Sequence, residues 1–217
     1  MKILLNITKL LCVCLISSSI HSQNLKRVKV SDSEKREGIV KKYSHVGKYE
    51  GSINLLLYSN KKYYYTINST NYHAFSQGQW NIKNTDIYLS SDITDTAVPV
   101  VIKYLTEDTI NIKSPFFIPV NLKGDKFPDA RIYVNNDTTY CFPFFDTCIG
   151  NYTMIEKVKI DFGDGFKSKW IKLNFEESKK IQFIAQTKFV LSSYLSFKKR
   201  RYKIVRSELE LFTSNKK

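Results

Sequence analysis

Glycine and proline are scarce in this 217-residue chain, at 8 and 5 residues, too few for a collagen-like or low-complexity protein. Alanine, the strongest helix former, occurs only at Ala74, Ala97, Ala130 and Ala185, which argues against a helical protein. Histidine is limited to His21, His45 and His73, and cysteine to four residues. A histidine-based triad or zinc centre would have to be assembled from very few candidates, none at motif spacing. No apolar run approaches the roughly 20 residues of a membrane-spanning helix.

What is present is aromatic, strand-forming and basic. Hydrophobic residues make up 42% and aromatic residues 14% of the chain, too much for wholesale disorder. Lys and Arg number 34 against 20 acids, a formal charge of +14. That surplus favours anionic surroundings without naming a partner.

The first residues carry an address. Lys2 and Lys9 bracket Ile3-Leu4-Leu5, the apolar run Leu10–Ile16 follows, and Ser17–Ser22 supplies small polar residues. A basic start, a short apolar core and a small-residue exit predict a secretory signal peptide over 1–22. Cys12 and Cys14 follow bulky residues inside the apolar run, so simple cleavage near Ser22–Gln23 is expected over lipid anchoring. The mature chain is then destined for the periplasm, the cell surface or the medium.

Residues 23–42 are charged and without period, and read as a disordered arm. From Tyr43 the texture becomes β. Ile53–Tyr58 and Lys62–Ile67 flank the polar turn Ser59-Asn60-Lys61, which predicts a hairpin. Gln79–Lys83 and Asp86–Ser90 flank Asn84-Thr85 and predict a second, with Trp80, Ile82, Ile87 and Leu89 on one buried face. Strand-like runs continue at Val98–Tyr104, Thr109–Lys113, Phe117–Leu122, Ala130–Asn135, Met154–Phe162, Phe166–Asn174, Ile181–Ala185, Phe189–Phe197 and Arg201–Phe212. One helical turn is expected at Phe175–Lys180. The composition shift at Ser90–Thr96 divides the chain into a β meander, 43–95, and a β-sandwich, 96–217. The fold class is all-β.

Gly47-Lys-Tyr49, two paired strands, and Gly78-Gln-Trp80-Asn-Ile82 followed by Ile87-Tyr-Leu89 together resemble the lipocalin-like modules of bacterial secreted proteins. The similarity covers about 45 residues. It implies an antiparallel meander; a closed eight-stranded barrel does not fit before residue 95. Val120–Gly124 and Ala130–Val134 give the second unit a similarity to transthyretin-like or carboxypeptidase-regulatory-like sandwiches. These resemblances imply a location and a shape, not a reaction.

Chemistry-bearing residues are few. Cys141 and Cys148 are the cysteines left after signal cleavage, and an exported pair predicts a disulfide. Asp161-Phe-Gly-Asp-Gly165 lacks the glycine-rich loop and strand lysine of a kinase and the ligand spacing of a calcium loop, so Asp164-Gly165 reads as a hairpin turn. Glu176-Glu177 reads as a solvated turn; twenty acids leave a carboxylate-pair hydrolase open in principle. Lys198, Lys199, Arg200 and Arg201 form the densest cationic run, a candidate patch for an anionic partner. Tyr63, Tyr65 and Trp80 are candidates for stacking on a ligand.

No catalytic residue, metal site or cofactor is identified. The expected function is an exported, non-enzymatic binding or structural module, with anionic glycan, lipid head groups or another envelope protein as partner. Nucleic acid is disfavoured by export. The alternatives are a carboxylate-dependent glycan or ester hydrolase, and a lipocalin-like carrier of an apolar ligand.

Overall fold

The computed structural model describes residues 24–47, 51–105, 116–143, 154–174 and 180–212. The expected signal peptide, Cys148, Thr109–Lys113, Glu176-Glu177 and the helical turn up to residue 179 lie outside them. The chain forms two compact units, one being Ile93–Ser196 and the other the segments flanking it.

The flanking segments build a closed antiparallel barrel. Its strands are β1 (Leu25–Val28), β2 (Ile39–Gly47), β3 (Gly51–Tyr58), β4 (Lys62–Asn68), β5 (His73–Lys83), β6 (Asp86–Ser91), β14 (Arg200–Val205) and β15 (Glu208–Leu211). Each pairs with the next in that order, and β15 returns to β1 through Leu25↔Leu209 and Lys26↔Glu208. Closure leaves no strand edge to template aggregation. The eight-stranded antiparallel barrel is compatible with a lipocalin-like fold.

Period-2 alternation fills it. Ile53, Leu55 and Leu57 on β3, Tyr63, Tyr65 and Ile67 on β4, and Ile87 and Leu89 on β6 are buried. Intervening residues such as Tyr64 and Thr66 are partly exposed. Both predicted hairpins form, and their turns require left-handed backbone at Lys61 (φ 66°) and Asn84 (φ 56°). Ile82, expected inside, lies one step from the second turn and stays 44% exposed.

Gly78 sits opposite Ser91 on β6 and Tyr63 on β4. A Cβ there would lie 2.1 Å from the Ser90 carbonyl oxygen, so close strand packing, not φ, demands glycine. Two residues on, Trp80 is buried, donates its indole N–H to the Tyr58 carbonyl at 3.0 Å, and lies under the Lys61 ammonium at 4.6 Å. The indole thus ties β5 to the end of the β3–β4 hairpin.

Two expectations about chain division are corrected. Residues 23–42 are not a disordered arm: they contain β1, α1 (Asp32–Arg36) and the start of β2. Leu25, Ile39 and Tyr43 face the core while Lys and Arg cover the outside, so the run looks polar although one side is buried. The second unit ends at Ser196, not at the C-terminus, and Arg200–Leu211 completes the barrel. Those two strands, with β1 and β2, supply what 43–95 could not.

α1 is a five-residue helix held by a capping box. Ser31 Oγ accepts from the Glu34 backbone N–H, and the Glu34 carboxylate accepts from the Ser31 N–H at 2.8 Å. Glu34 also accepts a 2.6 Å hydrogen bond from Lys42 of β2. The Lys42 bond, then those from Ser31, lower its carboxyl from 4.5 to about 2.

The Ile93–Ser196 unit carries two sheets. One has the order β10 (Tyr140–Cys141), β9 (Arg131–Val134), β11 (Lys157–Asp161), β12 (Ile171–Lys172) and is antiparallel. The other places β13 (Lys180–Ala185) between β7 (Val100–Leu105), antiparallel, and β8 (Phe116–Asn121), parallel. Pro119 is accommodated because β8 is an edge strand. Buried side chains include Phe117, Val120, Ile181 and Phe183 from one sheet and Ile132, Val134, Val158 and Ile160 from the other. Phe127 meets Phe162 edge-on at 4.9 Å. Asp164 (φ 49°) and Gly165 (φ 82°) form the expected tight turn, closed by Phe162 N–H to Phe166 O at 2.8 Å. Phe189–Phe197, expected as a strand, instead holds a 3-10 turn at Leu191–Ser193.

Gly78→Ala should destabilise the protein by about 3 kcal/mol, because the added methyl meets backbone that cannot rotate away; the urea midpoint measures it. Glu34 gives a pH signature. Its value is lower folded than unfolded, so its stabilisation is complete above about pH 4.5 and lost as pH falls toward about 2. Glu34→Gln should be less stable than the parent at neutral pH, and the gap should narrow steadily on acidification in paired urea titrations.

Candidate functional site

The outer face of the four-stranded sheet concentrates rings and cations. On β9, Ile132 and Val134 point into the core, which turns Arg131 and Tyr133 outward; on β11, buried Val158 and Ile160 do the same for Lys157, Lys159 and Asp161. β10 contributes Tyr140, which is 48% exposed. Trp170 immediately precedes β12, and Lys167 lies just beyond β11.

Register aligns these residues across the strands. Tyr140 is opposite Tyr133, and Tyr133 is opposite Lys159. The Lys159 ammonium lies 5.2 Å from the Tyr133 ring and 4.9 Å from the Trp170 ring. A single row therefore runs aromatic, aromatic, cation, aromatic over three strands and the residue just before the fourth. Lys157 adds a second ammonium at 5.0 Å from Trp170, and Lys167 lies 5.9 Å from Tyr133. At the β10 end, the Arg131 guanidinium lies 5.9 Å from Tyr140 and 5.5 Å from Phe142.

Two carboxylates temper the charge. Asp137 accepts a hydrogen bond from Lys159, and Asp161 pairs with Lys167 at 3.2 Å. Arg131, Lys157 and Lys172 have no ion pair among the described residues. Arg131, Lys157, Lys159 and Lys167 each lie over a ring, held by the ring's negative face. Such a face offers flat apolar surface for a sugar or other planar group and positive charge for an acid in one footprint.

The residues singled out from sequence fall elsewhere. Tyr63 and Tyr65 are interior side chains of the barrel, and Trp80 is almost completely covered. Alternation exposes Tyr64 instead, so the three named rings are not surface stacking platforms. Nor do Lys198, Lys199, Arg200 and Arg201 form one patch. Lys198 and Lys199 are exposed on the turn before β14. Arg201 faces outward and grips Asp86, Nη2 at 2.7 Å and Nε at 2.9 Å from Oδ2, with Phe212 at 4.2 Å. Arg200 shares the inward face with Tyr202, half-buried beside Phe197, Tyr65 and Tyr202. Cys141 is buried on β10.

Around Arg200 the barrel interior is polar in places. Tyr63 Oη, Ser76 Oγ and Ser91 Oγ form a triangle of hydrogen bonds at 2.8, 3.1 and 2.9 Å. Ser91 Oγ also accepts the Phe197 N–H at 2.7 Å. Burial pushes the Tyr202 and Tyr65 hydroxyls up from the usual tyrosine range, Arg200 opposing it in both. These phenols stay neutral, Tyr202 donating to Tyr65 and accepting from Arg200.

Comparison with known proteins adds nothing further: no family model, characterised protein or solved structure matches the chain.

Proposed function

We propose that this is an exported, non-enzymatic binding module of the cell envelope or the medium, and that it holds an acidic glycan on the outer face of the β10-β9-β11-β12 sheet. The observation that carries the reading is the row Tyr140–Tyr133–Lys159–Trp170, in which one cation stands among three rings across neighbouring strands. Acidic sugars present a flat, partly apolar ring together with a carboxylate or sulfate. Both halves of that chemistry have a counterpart on the face.

The route to the ligand is part of the proposal. The leader over 1–22 delivers the chain to an oxidising compartment, where Cys141 and Cys148 form a disulfide. A lipocalin-like barrel joined to a transthyretin-like or carboxypeptidase-regulatory-like unit suits a surface module, because small β domains carry such faces without needing a catalytic centre. The hydrolase and carrier alternatives have no comparable row of residues behind them.

The test is retention of the mature protein on immobilised polygalacturonate or dextran sulfate, with neutral dextran as reference, over a salt series. Binding should be strongest at low salt. Lys159→Ala and Trp170→Ala should each weaken it by about tenfold, as expected for loss of one desolvated cation–ring unit. Absence of retention at low salt, or retention of both variants as strong as the parent's, would overturn the assignment.

A further inference from the structure

Adjacent arginines on β14 solve the same chemical problem differently. Arg201 directs Nε and Nη2 to one carboxylate oxygen of Asp86. Arg200, one residue earlier and on the opposite face, has a buried Nε with no hydrogen-bond partner. It forms no ion pair among the described residues. Its surroundings are rings: Phe197 at 4.5 Å, Tyr202 at 5.5 Å and Tyr65 at 5.6 Å.

Rings stabilise a guanidinium through its flat faces, but they cannot accept its in-plane N–H groups. The edge formed by Nε and its neighbouring Nη is the fork that receives a carboxylate or phosphate in bidentate fashion. Most buried donors have an acceptor, and an orphan on a charged group calls for one. Arg200 is half-buried rather than sealed. It pairs across from Leu89 near the end of β6, where Phe197 stacks on Tyr63 at 6.3 Å and meets Tyr65 edge-on at 5.2 Å.

We infer that Arg200, framed by Phe197, Tyr65 and Tyr202, is a binding site for a single oxyanion group at this end of the barrel, the anion supplying the acceptor that Nε lacks. Entry requires the Phe197 ring to shift, since the Nε atom is covered. The Tyr202 phenol beside the guanidinium, hydrogen-bonded to Tyr65 and Arg200, is neutral and does not repel the anion. This site belongs to the barrel and is independent of the sheet face of the other unit.

The experiment uses the mature full chain and adds inorganic phosphate or acetate at constant ionic strength, with chloride as reference. A soluble short-chain phosphatidic acid forms a third arm. An oxyanion should raise the melting temperature saturably, by about 3 °C at tenfold excess over Kd, and should shift the Arg200 Nε–H resonance in 15N-labelled protein. Arg200→Met should abolish the melting shift, Arg200→Lys should weaken it at least fivefold, and the double variant Lys198→Ala, Lys199→Ala should keep it. Equal affinity for phosphate and phosphatidic acid assigns a free anion; tighter binding of the lipid assigns a headgroup. If oxyanions act no differently from chloride, or shift Arg200→Met as much as the parent, the site is purely a cation–ring contact and the inference fails. Should Arg200→Met not fold, the resonance titration and Arg200→Lys decide the matter.

Discussion

The barrel depends on one short ladder, the pairing of β1 with β15. Leu25↔Leu209 and Lys26↔Glu208 join β1 to β15, supported by Arg27 N–H to Ser207 O at 2.8 Å and Asn24 Nδ2 to Glu208 at 3.3 Å. Without it the sheet would have two free edges and an interior open along its length. Leu25 and Leu209 are both almost wholly buried, so the ladder is sealed by the same apolar contact that it aligns. The remaining strands then need only follow their turns. β2 to β6 are sequential hairpins, each register set locally by a few residues of loop.

The two arginine environments and the sheet face share a theme. In each, cations are placed over rings, and acids pair only some of them: Arg201 with Asp86, Lys159 with Asp137 and Lys167 with Asp161. Aromatic richness is therefore not spent wholly in the core. Tyr63, Tyr65 and Tyr202 fill the barrel, while Tyr133, Tyr140 and Trp170 line the sheet face of the other unit. The ion pairs that do form, Arg201–Asp86 and Lys167–Asp161 among them, pin particular turns and strand ends. They leave the strip from Lys157 to Arg131 with a surplus of positive charge.

Much of this was legible from residues alone, and the failures have physical causes. The β3–β4 and β5–β6 hairpins announced themselves because alternation and turn chemistry are local. The membership of β14 and β15 did not, since a strand's sequence records which of its faces is buried but not which sheet receives it. β1 was hidden for a different reason: a four-residue strand with one inward leucine among Lys and Arg has no visible period. Tyr63 and Tyr65 were placed outside because three adjacent tyrosines permit either phase, and only the neighbours Leu55 and Leu57 settle it. Lys157-Val-Lys-Ile-Asp161 and Arg131-Ile-Tyr-Val134 did carry the signal of the sheet face, as alternation with cations on one side. The missing knowledge was that Tyr140 and Trp170 stand in the same row.

The junction between the units has a consequence for how the chain acquires its shape. In the barrel, Ser91 N–H donates to Phe197 O at 2.9 Å; in the inserted unit, Asp95 N–H donates to Ser196 Oγ at 3.3 Å. Each unit thus brings the two ends of the insertion together on its own. A barrel awaiting β14 must otherwise close a loop of about a hundred residues, an entropic search that slows pairing. If the insertion condenses first, that search collapses to a step of a few residues, and β14 is delivered beside β6. In that order of assembly, the interruption in the barrel's sequence shortens the search for its last two strands.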